Sequence, residues 1–218
     1  MTKASASSTY DPDCRRCPRL AAFLDDLQIS HSDYWNAPVP AFGDPDARLL
    51  IVGLAPGMHG ANASGRPFTG DFAGILLYQT LFDLGLSSAP QSVTADDDLR
   101  LQGCRITNAV KCLPPQNKPT TMEVSTCNSY LAKELDALPR GGVLLALGGI
   151  AHRAILRALG RKQSELKFGH GLVHKLPNEA TLVDSYHCSR YNTQTRRLTP
   201  EMFRDAVARA KEIAYGSE

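Results

Sequence analysis

Four short, largely apolar stretches, at 48–53, 104–110, 142–148 and 181–187, the first of them continuous, constrain this chain more than any other feature. A strand with one wet face would alternate apolar and polar residues. An unbroken run reads instead as a strand buried on both faces, the habit of parallel sheets. Segments of helical periodicity lie between the runs. The segment 73–85 sets Ile75, Leu76, Tyr78, Gln79 and Phe82 around successive turns, with the apolar members on one face. The segment 122–138 spaces Tyr130, Leu131, Glu134, Leu135 and Leu138 at helical intervals. Helices are also expected over 150–159 and over 201–213, the latter with Pro200 in its first turn. Strand alternating with helix predicts an α/β layer fold around a four-stranded parallel sheet. A chain of 218 residues suffices for one such core, with residues 1–12 as a flexible N-terminal tail. The 43% of hydrophobic residues excludes a disordered chain. No apolar run approaches the ~20 residues of a membrane span. The Ser/Ala/Thr-rich start lacks the apolar block of a signal peptide. Segments 87–94 and 96–98 read as a solvated surface loop.

Ligands of parallel α/β folds gather at the carboxyl ends of the strands, and the unusual residues of this chain fall there. The first run exits into Gly53-Leu54-Ala55-Pro56-Gly57-Met58-His59-Gly60. Its glycines let backbone approach a ligand closely. It has neither the dinucleotide fingerprint nor the phosphate-loop pattern, and alone it is an ordinary strand-exit turn. Next comes Gly65-Arg66-Pro67-Phe68-Thr69-Gly70-Asp71, leading into a helix. Asp71 stands where a capping carboxylate would contribute ~1 kcal/mol. Phe68 offers either loop packing or a flat face for a base, worth ~1–3 kcal/mol when stacked. Asn108 carries a donor and an acceptor side by side, matching the C=O/N–H edge of uracil, although turn formation is the commoner role of Asn. After the last run, Tyr186-His187-Cys188-Ser189-Arg190-Tyr191-Asn192 opens a polar, basic and aromatic loop. Such a loop suits a phosphate backbone and a wedge into a duplex. A lone His187 is more often structural than catalytic.

The six cysteines divide into kinds. Cys104 opens an apolar run and reads as a buried, inert thiol. Cys188 sits in the polar loop, where exposure would make it reactive, although no neighbour in sequence lowers its pKa. Cys14 and Cys17 form a C-x-x-C between Pro12 and Pro18, with no strand before it, so the thioredoxin-like reading fails. Cys112 and Cys127 stand far along the chain in loop and early-helix positions. These four thiols can close one metal site, and spacing alone leaves zinc and an iron–sulfur cluster both open.

Taken in order, Gly53-Leu54-Ala55-Pro56-Gly57, then Gly65 to Asp71, then Asn108, then His187-Cys188-Ser189-Arg190-Tyr191-Asn192-Thr193-Gln194-Thr195 resemble the uracil-DNA glycosylase superfamily. The match is to its family 5, or B-type, iron–sulfur branch, and runs from about Cys14 to about Phe203. The resemblance implies a single α/β/α layered domain and a bacterial or archaeal cytoplasmic base-excision repair enzyme, working as a monomer away from membranes. It implies flipping of a deaminated base (uracil, with hypoxanthine and xanthine) from double-stranded DNA and hydrolysis of the N-glycosidic bond. It implies a structural [4Fe–4S] cluster on Cys14, Cys17, Cys112 and Cys127. Other branches carry an acidic or amide residue in the first motif, and family 4 has Glu where this chain has Leu54. The catalytic carboxylate of the resemblance is therefore Asp71, with His187 donating to the departing base. Gly53, Leu54, Ala55, Gly57, His59, Phe68 and Asn108 would bind the base, and Ser189, Arg190, Tyr191 and Asn192 the DNA. One departure stands out: the usual His-Pro-Ser is His187-Cys188-Ser189, which frees φ and restores a backbone donor. The missing acid in the first motif keeps a rival in view, a non-catalytic nucleic-acid-binding or redox-sensing iron–sulfur protein. The net charge of +2 does not oppose DNA binding, because it is a cancellation. Residues 1–139 hold 11 basic and 15 acidic groups, whereas 140–218 hold 13 and 7.

Overall fold

The computed structural model describes residues 10–216. In these the elements run α1 (Pro18–Ser30), β1 (Phe42–Gly43), β2 (Leu49–Gly53), α2 (Ala61–Ser64), α3 (Phe72–Asp83), β3 (Cys104–Asn108) and α4 (Thr121–Asp136). They continue with β4 (Val143–Leu147), α5 (Gly149–Ala158), β5 (Val173–Lys175), β6 (Thr181–Ser185), α6 (Arg190–Gln194) and α7 (Pro200–Tyr215). The four apolar runs became β2, β3, β4 and β6, all parallel, in the order β3-β2-β4-β6. The sheet has six strands rather than four, because β1 and β5 pair antiparallel on its two edges. Two and three residues long, they are too short for any apolar period to be read from sequence.

Alternate residues of a strand face opposite sides, and both sides of this sheet are covered. Leu49, Ile51, Leu145 and Val183 pack with Leu77 and Leu81 of α3 and Phe203 and Val207 of α7. Leu50, Val52, Leu144, Ala146 and Leu182 pack with Leu131 of α4 and Ala151 and Ile155 of α5. This double burial is why the strands read as continuous apolar runs, and it yields the α/β/α layering. Local signals place the helices. Thr120 and Glu123 close a reciprocal capping box on α4, with Glu123 N donating to Thr120 Oγ1 at 3.2 Å and Thr120 N to Glu123 Oε2 at 2.7 Å. Pro200 opens α7 behind the Thr199 cap.

Two elements differ from the sequence reading. Pro18 does not hold a loop: it is the first residue of α1, a position that suits a residue with no N–H to donate. Segment 87–99 is only partly solvated. Ser87 and Ser92 are buried, and the Arg66 guanidinium reaches across to Ser92 Oγ at 3.1 Å and to Asp97. Asp97 in turn accepts from the backbone amide of Val93 at 2.9 Å. Among the described residues no helix is long and apolar enough to cross a membrane. Of the tail expected over 1–12, residues 1–9 lie outside the described residues, and Tyr10 packs beside Cys14 and Cys17.

Candidate active site

The register brings the strand ends level, with Gly53 beside Asn108 and Leu147 beside Ser185. The loops leaving those ends enclose a cavity of about 620 Å³. Leu54, Ala55, Gly57, Phe68, Asp71, Asn108 and His187 line it, joined by Ser189, Arg190, Tyr191 and Asn192 from the start of α6. Gly53 lies beneath the floor and not in it. A Cβ there would fall 2.7 Å from Phe68 Cζ and collide with Asn108 Oδ1, so only glycine lets the ring and the amide lie together over the strand end. His59 is not brought to the cavity. Its side chain is exposed, with Nδ1 3.0 Å from the Tyr34 hydroxyl, on the outer side of the loop that places Gly57.

Asp71 precedes α3 but does not cap it. Its carboxylate turns instead to the first loop, where Ala61 N donates to Oδ2 at 3.1 Å and the Gly57 amide also donates. Gly57 and Gly60 leave the space for this, since a Cβ on either would strike the carboxylate. Burial raises the Asp71 pKa above the usual carboxylate value, and the two amides only partly pull it back. Phe68 sits at φ 59°, a left-handed conformation uncommon for an aromatic residue. The Tyr78 hydroxyl holds the preceding carbonyl, donating to Pro67 O at 2.8 Å. The Phe68 ring lies 6.0 Å from the His187 ring, at an interplanar angle of 26°.

Two wall atoms are buried and have no partner, Asn108 Oδ1 and His187 Nδ1. Desolvation pushes the His187 pKa down to about 4, so the ring is neutral at pH 7. Asn192 donates from Nδ2 to the His187 carbonyl at 2.8 Å, which fixes the main chain of that residue. Ser189 Oγ caps α6, accepting from Asn192 N at 3.4 Å. Arg190 lies over the Phe72 ring at 4.8 Å, and Tyr191 is 70% exposed at the rim. Cys188 is fully buried, and burial pushes its thiol up to about 12, so it is neither exposed nor reactive. Sequence reasoning missed Phe168, which lines the cavity from the loop after α5. An aromatic residue set before Gly169-His170-Gly171 was the available signal.

On the far side of the β2 and β3 exits, Cys14, Cys17, Cys112 and Cys127 line a second, smaller cavity. Burial alone would raise the Cys14 thiol, but hydrogen bonds from Tyr130 and Arg16 hold it below its usual value. Burial, and then the charges of the other three thiols, pushes Cys112 up to about 12. Lys111 N donates to Cys127 Sγ at 3.3 Å. Four thiols converging on one cavity are a donor set that fits a tetrathiolate metal centre, whether zinc or iron–sulfur.

The loops at the level strand ends thus gather a glycine-backed carboxylate, an amide and an imidazole around one cavity. The family model of the uracil DNA glycosylase superfamily matches residues 40–211, and the chain belongs to that superfamily. It is similar to the type-5 uracil-DNA glycosylase of Thermus thermophilus, 48% identical over 92% of this chain and 94% of the relative. It is similar also to that of Pyrobaculum aerophilum, 42% identical over 91% and 88%. A type-4 enzyme, from Archaeoglobus fulgidus, is 32% identical over 80% and 75%.

Proposed function

We propose that the cavity receives uracil flipped out of double-stranded DNA and that the enzyme hydrolyses its N-glycosidic bond. The observation that carries this reading is the pair of buried, unpartnered atoms, Asn108 Oδ1 and His187 Nδ1, lining one cavity. An orphaned buried polar group costs about 1–3 kcal/mol, and a ligand that supplies the missing partners recovers it. Uracil does so. Its N3–H donates to Asn108 Oδ1, its O4 accepts from the same amide, and its ring lies against Phe68. As the bond from C1′ breaks, its electron pair passes to the base and negative charge grows at O2. Neutral His187 can donate its one ring N–H there without first gaining a proton. Asp71, ionised above its raised pKa, faces the sugar, where it steadies the cationic carbon and aims the water that adds to it. The products are free base and an abasic site.

The resemblance extends the proposal to hypoxanthine and xanthine as further substrates. Arg190 and Tyr191 at the rim would meet the phosphates and the gap left by the flipped base. Cys14, Cys17, Cys112 and Cys127, which converge on one small cavity, would hold a [4Fe–4S] cluster, as the resemblance to the iron–sulfur branch implies. The cluster would tie the N-terminal and mid-chain loops together and take no part in the steps above. The protein would act as a monomer. Base release from duplexes containing uracil, hypoxanthine or xanthine tests the reading, with uracil release expected. Tight duplex binding without release of any base would overturn it in favour of a binding protein. Equimolar zinc in place of iron and acid-labile sulfide would overturn the cluster.

A further inference from the structure

Phe168 lines the cavity yet takes no part in the steps above. Behind it lies a buried network. Asp184 on β6 is fully buried and accepts from three sides, His152 Nδ1 at 2.8 Å, His174 Nε2 at 3.2 Å and Gly169 N at 3.3 Å. These are direct hydrogen bonds, so no ion is needed to join the three side chains. His152, 1% exposed, has its other ring nitrogen 3.0 Å from the Leu166 carbonyl. Asp184 Oδ1 and the Leu166 carbonyl set an acceptor against each ring nitrogen, an arrangement that favours His152 as an imidazolium donating from both. Burial alone would lower its pKa, but Asp184 outweighs burial and raises it. The His152 ring meets the Phe168 ring edge to face, 5.7 Å between centroids at 73°. The far end of the segment is fastened too. Gly171 N donates to Asp184 O at 2.8 Å, and His170 Nδ1 accepts from Tyr186 N at 3.1 Å, one residue before His187.

We infer that His152 is a positioning residue: with Asp184 it fixes segment 166–171 so that Phe168 stands as a wall of the base cavity and sets which bases fit. This rests on the base-excision reading of the cavity. Phe168 is half-buried and Phe168→Ala removes only the wall. That variant should lower uracil release, as kcat/KM, about tenfold and shift the uracil-to-hypoxanthine ratio toward the larger base. His152→Asn should shift the ratio in the same direction. The double variant should go no further than Phe168→Ala, because the two act through one ring. Additive effects, or a His152→Asn enzyme with lowered Tm and the wild-type ratio, would overturn the positioning role. An unchanged ratio in Phe168→Ala overturns the wall whether or not the His152 variant folds. Nitrogen-15 shifts of the His152 ring report without catalysis: the ring should titrate above the ordinary histidine value of 6.5, and titration below it overturns the clamp. A wild-type enzyme with a raised His152 pKa and no base release overturns instead the reading of the cavity, and the specificity role with it.

Discussion

Asp71 is set by residues ten and more positions before it. Two glycines make room for its carboxylate, and the amides of Gly57 and Ala61 receive it. Asp71→Asn keeps the shape and removes the charge, so single-turnover base release should fall at least a hundredfold while duplex affinity stays close to wild type. Wild-type cleavage by that variant would remove Asp71 from the chemistry. Because burial raises its pKa, wild-type activity should begin to fall, as pH drops, above the ordinary carboxylate value of 3.8. His187 bears on stability with its own sign. Its folded pKa of about 4 lies below the ordinary 6.5, so the folded state binds fewer protons in that interval. Stability from this residue is present above pH 6.5 and is lost as pH falls toward 4, by up to about 3 kcal/mol. Urea midpoints at pH 7 and pH 4 should therefore lie closer together in His187→Gln than in wild type. The sequence named Asp71 and His187 through their motifs. It could not show that Asp71 passes over its own helix, because the glycines that admit the carboxylate are distant in sequence.

The fold was legible where an element is buried on both sides and long enough to show it. β2, β3, β4 and β6 announced themselves, and so did α3, α4, α5 and α7. α1 was lost because Pro18 looks the same opening a helix as breaking one, and five-residue α6 because it completes barely one turn. The loop after α3 was misread because its anchors lie elsewhere in the sequence, in Arg66 and Thr69. That guanidinium is 8% exposed in its side chain, bonds Ser92 and Asp97, and covers the Phe42 ring at 4.4 Å. Ser92 Oγ also meets Thr69 Oγ1 at 2.7 Å, so the loop braces the segment between Phe68 and Asp71. Arg66→Ala takes a partner from buried Ser92 and half-buried Asp97 and should destabilise by about 1–3 kcal/mol. It should also lower base release by more than a remote substitution of equal Tm effect. Equal losses in the two would confine Arg66 to stability.

Across the whole molecule charge is unevenly shared, and the more basic part of the chain carries α6 at the mouth of the cavity. Arg190 is exposed there, resting on the Phe72 ring. If it meets a phosphate, Arg190→Ala should weaken duplex binding about equally for damaged and undamaged DNA. It should also reduce the slope of log affinity against log salt by about one. An unchanged slope would place the phosphates elsewhere. Composition averaged this asymmetry away, and only position along the chain recovers it.

The ladder between β2 and β3 does not stop where the strands do. Ala109 N donates to Gly53 O and Val110 N to Leu54 O, each at 3.0 Å, so the sheet continues beneath the cavity. The floor on which Asn108 and Phe68 rest is thus tied into the sheet's own ladder, and its ordering was met when the chain folded. On the base-flipping proposal, capture would then be timed by how often a weakened pair opens, with the protein a fixed gauge against which each exposed base is tried.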